Sequence, residues 1–187
     1  MTDRFLICLP YTLKEECPFP EDWSNPKNFS NDAHDPGGET MCGIIQREYS
    51  VWRKRQHLPV RNVRLITEEE GQAIYRESYW LPRCPTMAPG LDLCFFDSSV
   101  NEGPFEAIKI LQFSLGVDID GEWGPVTELA LENHPDPDEL IKTFTLRRKA
   151  VYREMNGFKY FGEDWLQRSD RIDVASIQMS GDSNELV

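Results

Sequence analysis

The sequence contains no run approaching the roughly 20 apolar residues that a bilayer-spanning helix requires, so no stable membrane insertion is expected. Long stretches of alternating apolar and polar residues are also missing, which excludes a sheet as the main layer. Cysteine is scarce and odd in number: Cys8, Cys17, Cys42, Cys84 and Cys94 include no CxxC pair. That pattern argues against a fully paired secreted framework and against a standard zinc motif. Cys17, His34 and Cys42 offer three ligands without a fourth, so isolated thiols are the stronger reading and no metal or cofactor is expected. Positive charge is in deficit, with 20 Lys and Arg against 32 Asp and Glu and a net charge of -12. Such a surplus opposes long-range attraction to nucleic acid or an anionic membrane and favours a neutral or cationic substrate. The two basic runs, Arg53-Lys54-Arg55 and Arg147-Arg148-Lys149, read as solvated helix faces. The opening "MTDRFLICLPYTLKEE" has one early basic residue, an apolar run broken by Pro10 and no small-residue cleavage site, so synthesis as a soluble cytoplasmic protein is expected.

What is present points to helices. The 187 residues, 40% of them apolar, suffice for one globular domain or two small ones. "RFLICLPYTLKEE" reads as an apolar helical segment, and "GIIQREYSVWRKRQ" predicts an amphipathic helix beginning at the two isoleucines. Thr67 and Glu70 have capping-box spacing at the head of "TEEEGQAIYRESYW". Three prolines and a glycine make residues 81–90 a turn or linker. Further helices are expected over 104–115, after Pro125, over 137–155 and, briefly, around Trp165, with "SIQMSGDSNELV" a loose tail. The fold class expected is mainly α, with room for a small β-hairpin in the long polar loop before Thr40.

That loop suggests chemistry. Structureless loops of such length are uncommon in compact domains and are often functional. Glu16 ends the first helical segment, where Leu13 and Tyr11 could partly desolvate it, and a carboxyl kept protonated can serve as the general acid of glycoside hydrolysis. From local pattern alone, surface residues of a helix are the stronger reading of Glu15 and Glu16. Asp35 stands in "HDPGGET", a turn-forming string whose glycines also let backbone approach a ligand, with Thr40 just beyond to hold a water. Trp52, Trp80, Trp123 and Trp165 are core or sugar-stacking residues, with Trp123 in its polar turn the best exposed platform. "DIDGEWGPVTEL" fails as a calcium loop, since Trp123 occupies the required glycine position and Leu129 the bidentate glutamate position.

The blocks "LKEE", "SNDAHDPGGETMCGI", "LITEEEGQAIYRESYW", "LCFFDSSVNEGPFEAIKILQFSLGVDIDGEWGPVT" and "GEDWLQRSDRI", in that order, resemble the glycoside hydrolase family 108 lysozymes over residues 5–172. These are N-acetylmuramidases of phage endolysins and of some bacterial secretion-associated proteins. The resemblance implies a lysozyme-like catalytic region over residues 1–92, a small helical peptidoglycan-binding region over 93–175 and a flexible tail over 176–187. It implies Glu16 as the catalytic acid, with Asp35 and Thr40 handling charge and water, and Asn101, Gln112 and Trp123 as substrate-binding residues. The family's Gly-Gly after the acid is replaced here by Cys17-Pro18, before a longer loop. Glu15 therefore competes with Glu16, and Asp32 with Asp35. The implied partner is bacterial peptidoglycan, with a holin for membrane passage from the host cytoplasm or carriage in a virion-like particle. A monomer is expected. The competing class is a non-catalytic wall-binding or virion-structural module that retains the fold.

Overall fold

The computed structural model describes residues 3–31 and 38–184, with side chains through 181. The chain forms two compact units, Met1–Ser78 and Tyr79–Val187.

In the first unit, α1 (Arg4–Glu16) buries Phe5, Cys8, Leu9, Thr12 and Leu13, the three- and four-residue steps of a single helical face. Asp3 caps it by accepting from Phe5 N at 3.1 Å. The helix stops where it does because Pro18 follows: a residue before proline is pushed out of the α region, and Cys17 is extended at φ -149, ψ 148. Cys-Pro thus ends the helix without glycine.

The long segment after α1 is tied down by side chains. Asn28, 6% exposed, accepts from Phe19 N at 2.9 Å and donates to Phe19 O at 2.8 Å and Asp22 O at 2.9 Å. Trp23, 5% exposed, meets Tyr75 edge-on with ring centroids 6.4 Å apart. Its ring fills the space a side chain at Gly71 would need, 1.9 Å from an ideal Cβ. This stretch is therefore part of the packing.

A three-stranded antiparallel sheet follows in the order β1 (Phe29–Ser30), β2 (Thr40–Met41), β3 (Ile44–Ile45). Phe29 pairs with Met41 and Ser30 with Thr40; Thr40 pairs with Ile45 and Met41 with Ile44. The two-residue turn has φ 46 at Cys42 and φ 75 at Gly43, the positive values that match a hairpin to strand twist. Ile44 and Ile45 are therefore strand, where the sequence pattern placed them in a helix. β-branched residues pair well on a pleated surface, and α2 (Gln46–Arg55) begins only after them. α3 (Glu68–Tyr75) carries the expected capping box, with Thr67 Oγ1 accepting from Glu70 N and Glu70 accepting from Thr67 N.

The second unit contains α4 (Leu91–Glu102), α5 (Pro104–Leu115), α6 (Pro125–Glu132), α7 (Pro137–Glu154) and α8 (Phe158–Asn184). α7 packs along α8, and α4 packs against α5, α7 and α8. The sequence did not announce α4: residues 91–99 are all buried, so no amphipathic period marks it. Its polar members are absorbed by partners. The expected tail over 176–187 is corrected in part, since α8 continues through Asn184. Buried Ile172, Ala175, Ser176 and Ser180 form its inner stripe, and Cys94 Sγ meets Ser176 Oγ at 3.1 Å. Small contact residues hold the helix without an apolar signature. Trp80, Cys84 and Met87 are buried, and the proline-rich segment falls within the second compact unit.

Candidate active site

Glu16 is the last residue of α1 and is half-buried. The turn of the β2–β3 hairpin is set against it. An ideal Cβ on Gly43 would stand 2.8 Å from Glu16 Oε2 and 2.7 Å from the Tyr75 hydroxyl. Only glycine fits, both for that approach and for φ 75. Tyr75, 1% exposed on α3, donates to Cys42 O at 2.8 Å and so pins the turn from behind. Thr40 lies on β2, the strand leading into this turn, with Oγ1 3.3 Å from Gly38 O. A single hairpin therefore carries Thr40 and brings Gly43 to Glu16. Asp35 and its competitor Asp32 lie outside the described residues. Gly43 and Tyr75 were not singled out from sequence, although a Cys-Gly pair between short apolar runs was a hairpin signal that could have found them.

Cys17 and Cys42 are buried beside this junction and their thiols interact. The hydrogen bond from Cys42 holds the Cys17 thiol below its ordinary range, while the same bond, with burial, pushes Cys42 up. Among the described residues no group of three His, Cys, Asp or Glu side chains could hold a metal; His34 falls outside them.

Behind the hairpin, Glu70 accepts from Tyr49 at 2.7 Å and Arg61 at 2.5 Å and is paired with Arg53. Burial pushes its carboxyl up, but the hydrogen bonds from Tyr49, Thr67 and Arg61 outweigh that and hold it low. Arg53 is 7% exposed, and Arg148, 2% exposed, lies in the second unit between Asp97 at 2.8 Å and Glu102 at 2.9 Å. Neither arginine belongs to a solvated face, a correction to the reading of both basic runs. Local sequence could not show this, because each partner is remote in the chain.

The three expected substrate-binding residues all lie in the second unit. Gln112 is 1% exposed, donates to Asp120 at 2.7 Å, Glu122 O at 3.0 Å and Thr127 at 3.1 Å, and accepts from Gly121 N at 2.9 Å. Its amide is committed on both sides to holding the Asp120-Gly121 turn, which leaves no polar group directed at a substrate. Asn101 turns its amide to the Tyr152 hydroxyl at 2.7 Å, next to the Arg148 network. Trp123 is half-buried, donates to Glu128 at 2.7 Å, meets Phe95 edge-on and lines a cavity of about 250 Å³ with Asp118, Asp120 and Val126. Of the three, Gln112 and Trp123 both line this cavity, Trp123 with the larger exposed surface.

Helices around a small antiparallel sheet, with a glutamate ending the first helix against the sheet's hairpin, define a mainly α, lysozyme-like protein. Residues 22–103 match the family described as glycosyl hydrolase 108. The solved structure of Brucella abortus SagA is similar at 27% identity and a TM-score of 0.77, covering 94% of this chain and 95% of that chain. No curated protein matches the sequence significantly. The matched stretch and the likeness to SagA together support, at family level, a lysozyme-like glycoside hydrolase acting on peptidoglycan. Thr40, Asp35 and Asn101 lie within the matched stretch, whereas Glu16 and the rest of α1 precede it.

Proposed function

We propose that the protein is an N-acetylmuramidase that hydrolyses the β-1,4 bond between N-acetylmuramic acid and N-acetylglucosamine. Glu16 protonates the glycosidic oxygen as the bond to the leaving sugar breaks. Asp35 faces the developing positive charge and, with Thr40, orients the water that attacks the anomeric carbon. The observation that carries this reading is the fit of the Gly43 turn against Glu16, which attaches the end of α1 to the strand bearing Thr40. A side chain at this turn would press on the carboxylate, so glycine leaves Glu16 in the position the proposed acid requires. We further propose that the enzyme acts at the cell wall after a partner such as a holin opens the membrane, or from within a virion-like particle.

The test is Glu16→Gln, which keeps shape and loses the transferable proton. Mass spectrometry of digested peptidoglycan should show new reducing muramic ends with the wild type and none with the variant, at equal thermal stability. A fully active variant removes Glu16 from the role. The start of the family match after Glu16 favours a second reading, a non-catalytic wall-binding protein. Wall binding by the wild type without fragments would establish it.

A further inference from the structure

The first unit has a groove of about 420 Å³ that the proposed chemistry does not use. One stripe of α2 forms its wall: Arg47, Glu48, Val51, Trp52 and Arg55, at steps that share a helix face, with Glu77 opposite. Trp52 is held in place because its indole N–H donates to Glu77 at 3.0 Å. Val51 is 42% exposed, so the middle of the groove is apolar and open. Arg47 and Arg55 are exposed at its two ends, and neither makes an ion pair or hydrogen bond among the described residues. In a chain of net charge -12, two uncommitted guanidinium groups flanking an open apolar floor are out of keeping with the surface.

We propose that this groove binds the peptide stem of peptidoglycan through its carboxylates, a proposal that rests on peptidoglycan being the substrate. Guanidinium groups match carboxylates with paired hydrogen bonds. Eight residues of helix separate Arg47 from Arg55, a rise of about 12 Å. An extended peptide covers that distance in about three to four residues at roughly 3.4 Å each. The occupant is therefore a short peptide with carboxylates near both ends, whose apolar side chains lie on Val51 and Trp52. Glu48 and Glu77 line the same groove and accept from backbone N–H groups or from the free amine of a diamino acid in the stem.

The experiment titrates the full chain with a free stem tetrapeptide (L-alanine, D-glutamate, diaminopimelate, D-alanine) by nuclear magnetic resonance. It then compares turnover of intact peptidoglycan with that of glycan strands stripped of peptides. Resonances of α2 should shift on titration. The double variant Arg47→Gln/Arg55→Gln should weaken tetrapeptide binding by on the order of ten- to a hundredfold, the scale of hydrogen bonds to charged groups. It should raise KM on intact peptidoglycan by a similar factor, with kcat and the stripped-strand KM unchanged. Absence of tetrapeptide binding to the wild type, unchanged binding by the variant, or an equal KM rise on both substrates would each overturn the proposal. If the wild type cleaves neither substrate, the muramidase reading fails, and the titration still decides the groove.

Discussion

Replacing Gly43 with alanine separates two effects that usually travel together, backbone strain and loss of a close approach. Gly43 has φ 75, and its Cβ would stand 2.7 Å from the Tyr75 hydroxyl and 2.8 Å from Glu16 Oε2. Ordinary contact begins at 3.4 Å, so each oxygen must retreat by roughly 0.6 to 0.7 Å. Gly116 supplies the control: it is left-handed at φ 70, ψ 29, with nothing within 4 Å of its Cβ. Both alanine variants should lose about 1–2 kcal/mol to left-handed strain in urea denaturation. Gly43→Ala should lose more, because buried Tyr75 resists displacement. Misplacing a catalytic group by about 1 Å can cost on the order of a hundredfold in rate. Gly43→Ala should therefore lower kcat for release of reducing ends by roughly tenfold or more, whereas Gly116→Ala leaves it unchanged. Wild-type kcat in Gly43→Ala, or an equal loss in Gly116→Ala, would refute the claim that this turn positions Glu16.

Gly71→Ala reverses the usual sign of its substitution: in an open helix it would gain up to about 1 kcal/mol, but here Trp23 occupies the space, so a lowered Tm is expected and a raised one would remove Trp23 as the anchor of the long segment. Asp97→Asn breaks a buried set of pairs with Arg148 and Arg168 and should cost about 3–5 kcal/mol by chemical denaturation. Burial alone would raise the Asp97 carboxyl, yet Arg168 and Arg148 hold it below its ordinary value, so its contribution is full above the unfolded carboxylate pKa of about 4 and is lost as pH falls through the lower folded value. Acid denaturation curves of wild type and variant should therefore start to approach each other below about pH 4 and meet only once pH is under the lower folded value. Gln112→Leu leaves Gly121 N–H and the Thr127 hydroxyl without their partner and should cost about 1–3 kcal/mol, with wall hydrolysis unchanged once folding is accounted for; a selective KM rise would make Gln112 a binding residue after all.

Local pattern alone was enough to determine the helical class, the end of α1 and the capping box on α3. Each depends on neighbours in the chain: apolar steps of three and four, a proline after Cys17, and Thr67 three residues before Glu70. The ordered blocks that resemble family 108 lysozymes were likewise in the sequence, and they made Glu16 a candidate before its surroundings were visible. Tertiary structure decided what depends on residues far apart. α4 shows no amphipathic stripe because it is buried on every side, and Ile44 and Ile45 became strand because Met41 and Thr40 pair with them. That Gln112 holds the Asp120-Gly121 turn became visible only when Gly121 and Thr127 met its amide. The approach of Gly43 to Glu16 joins residues 27 positions apart, and it exists only once Tyr75 closes the turn from a third element. Chain chemistry of short range is written in order along the sequence; desolvation and close approach are set by whichever segments meet in space.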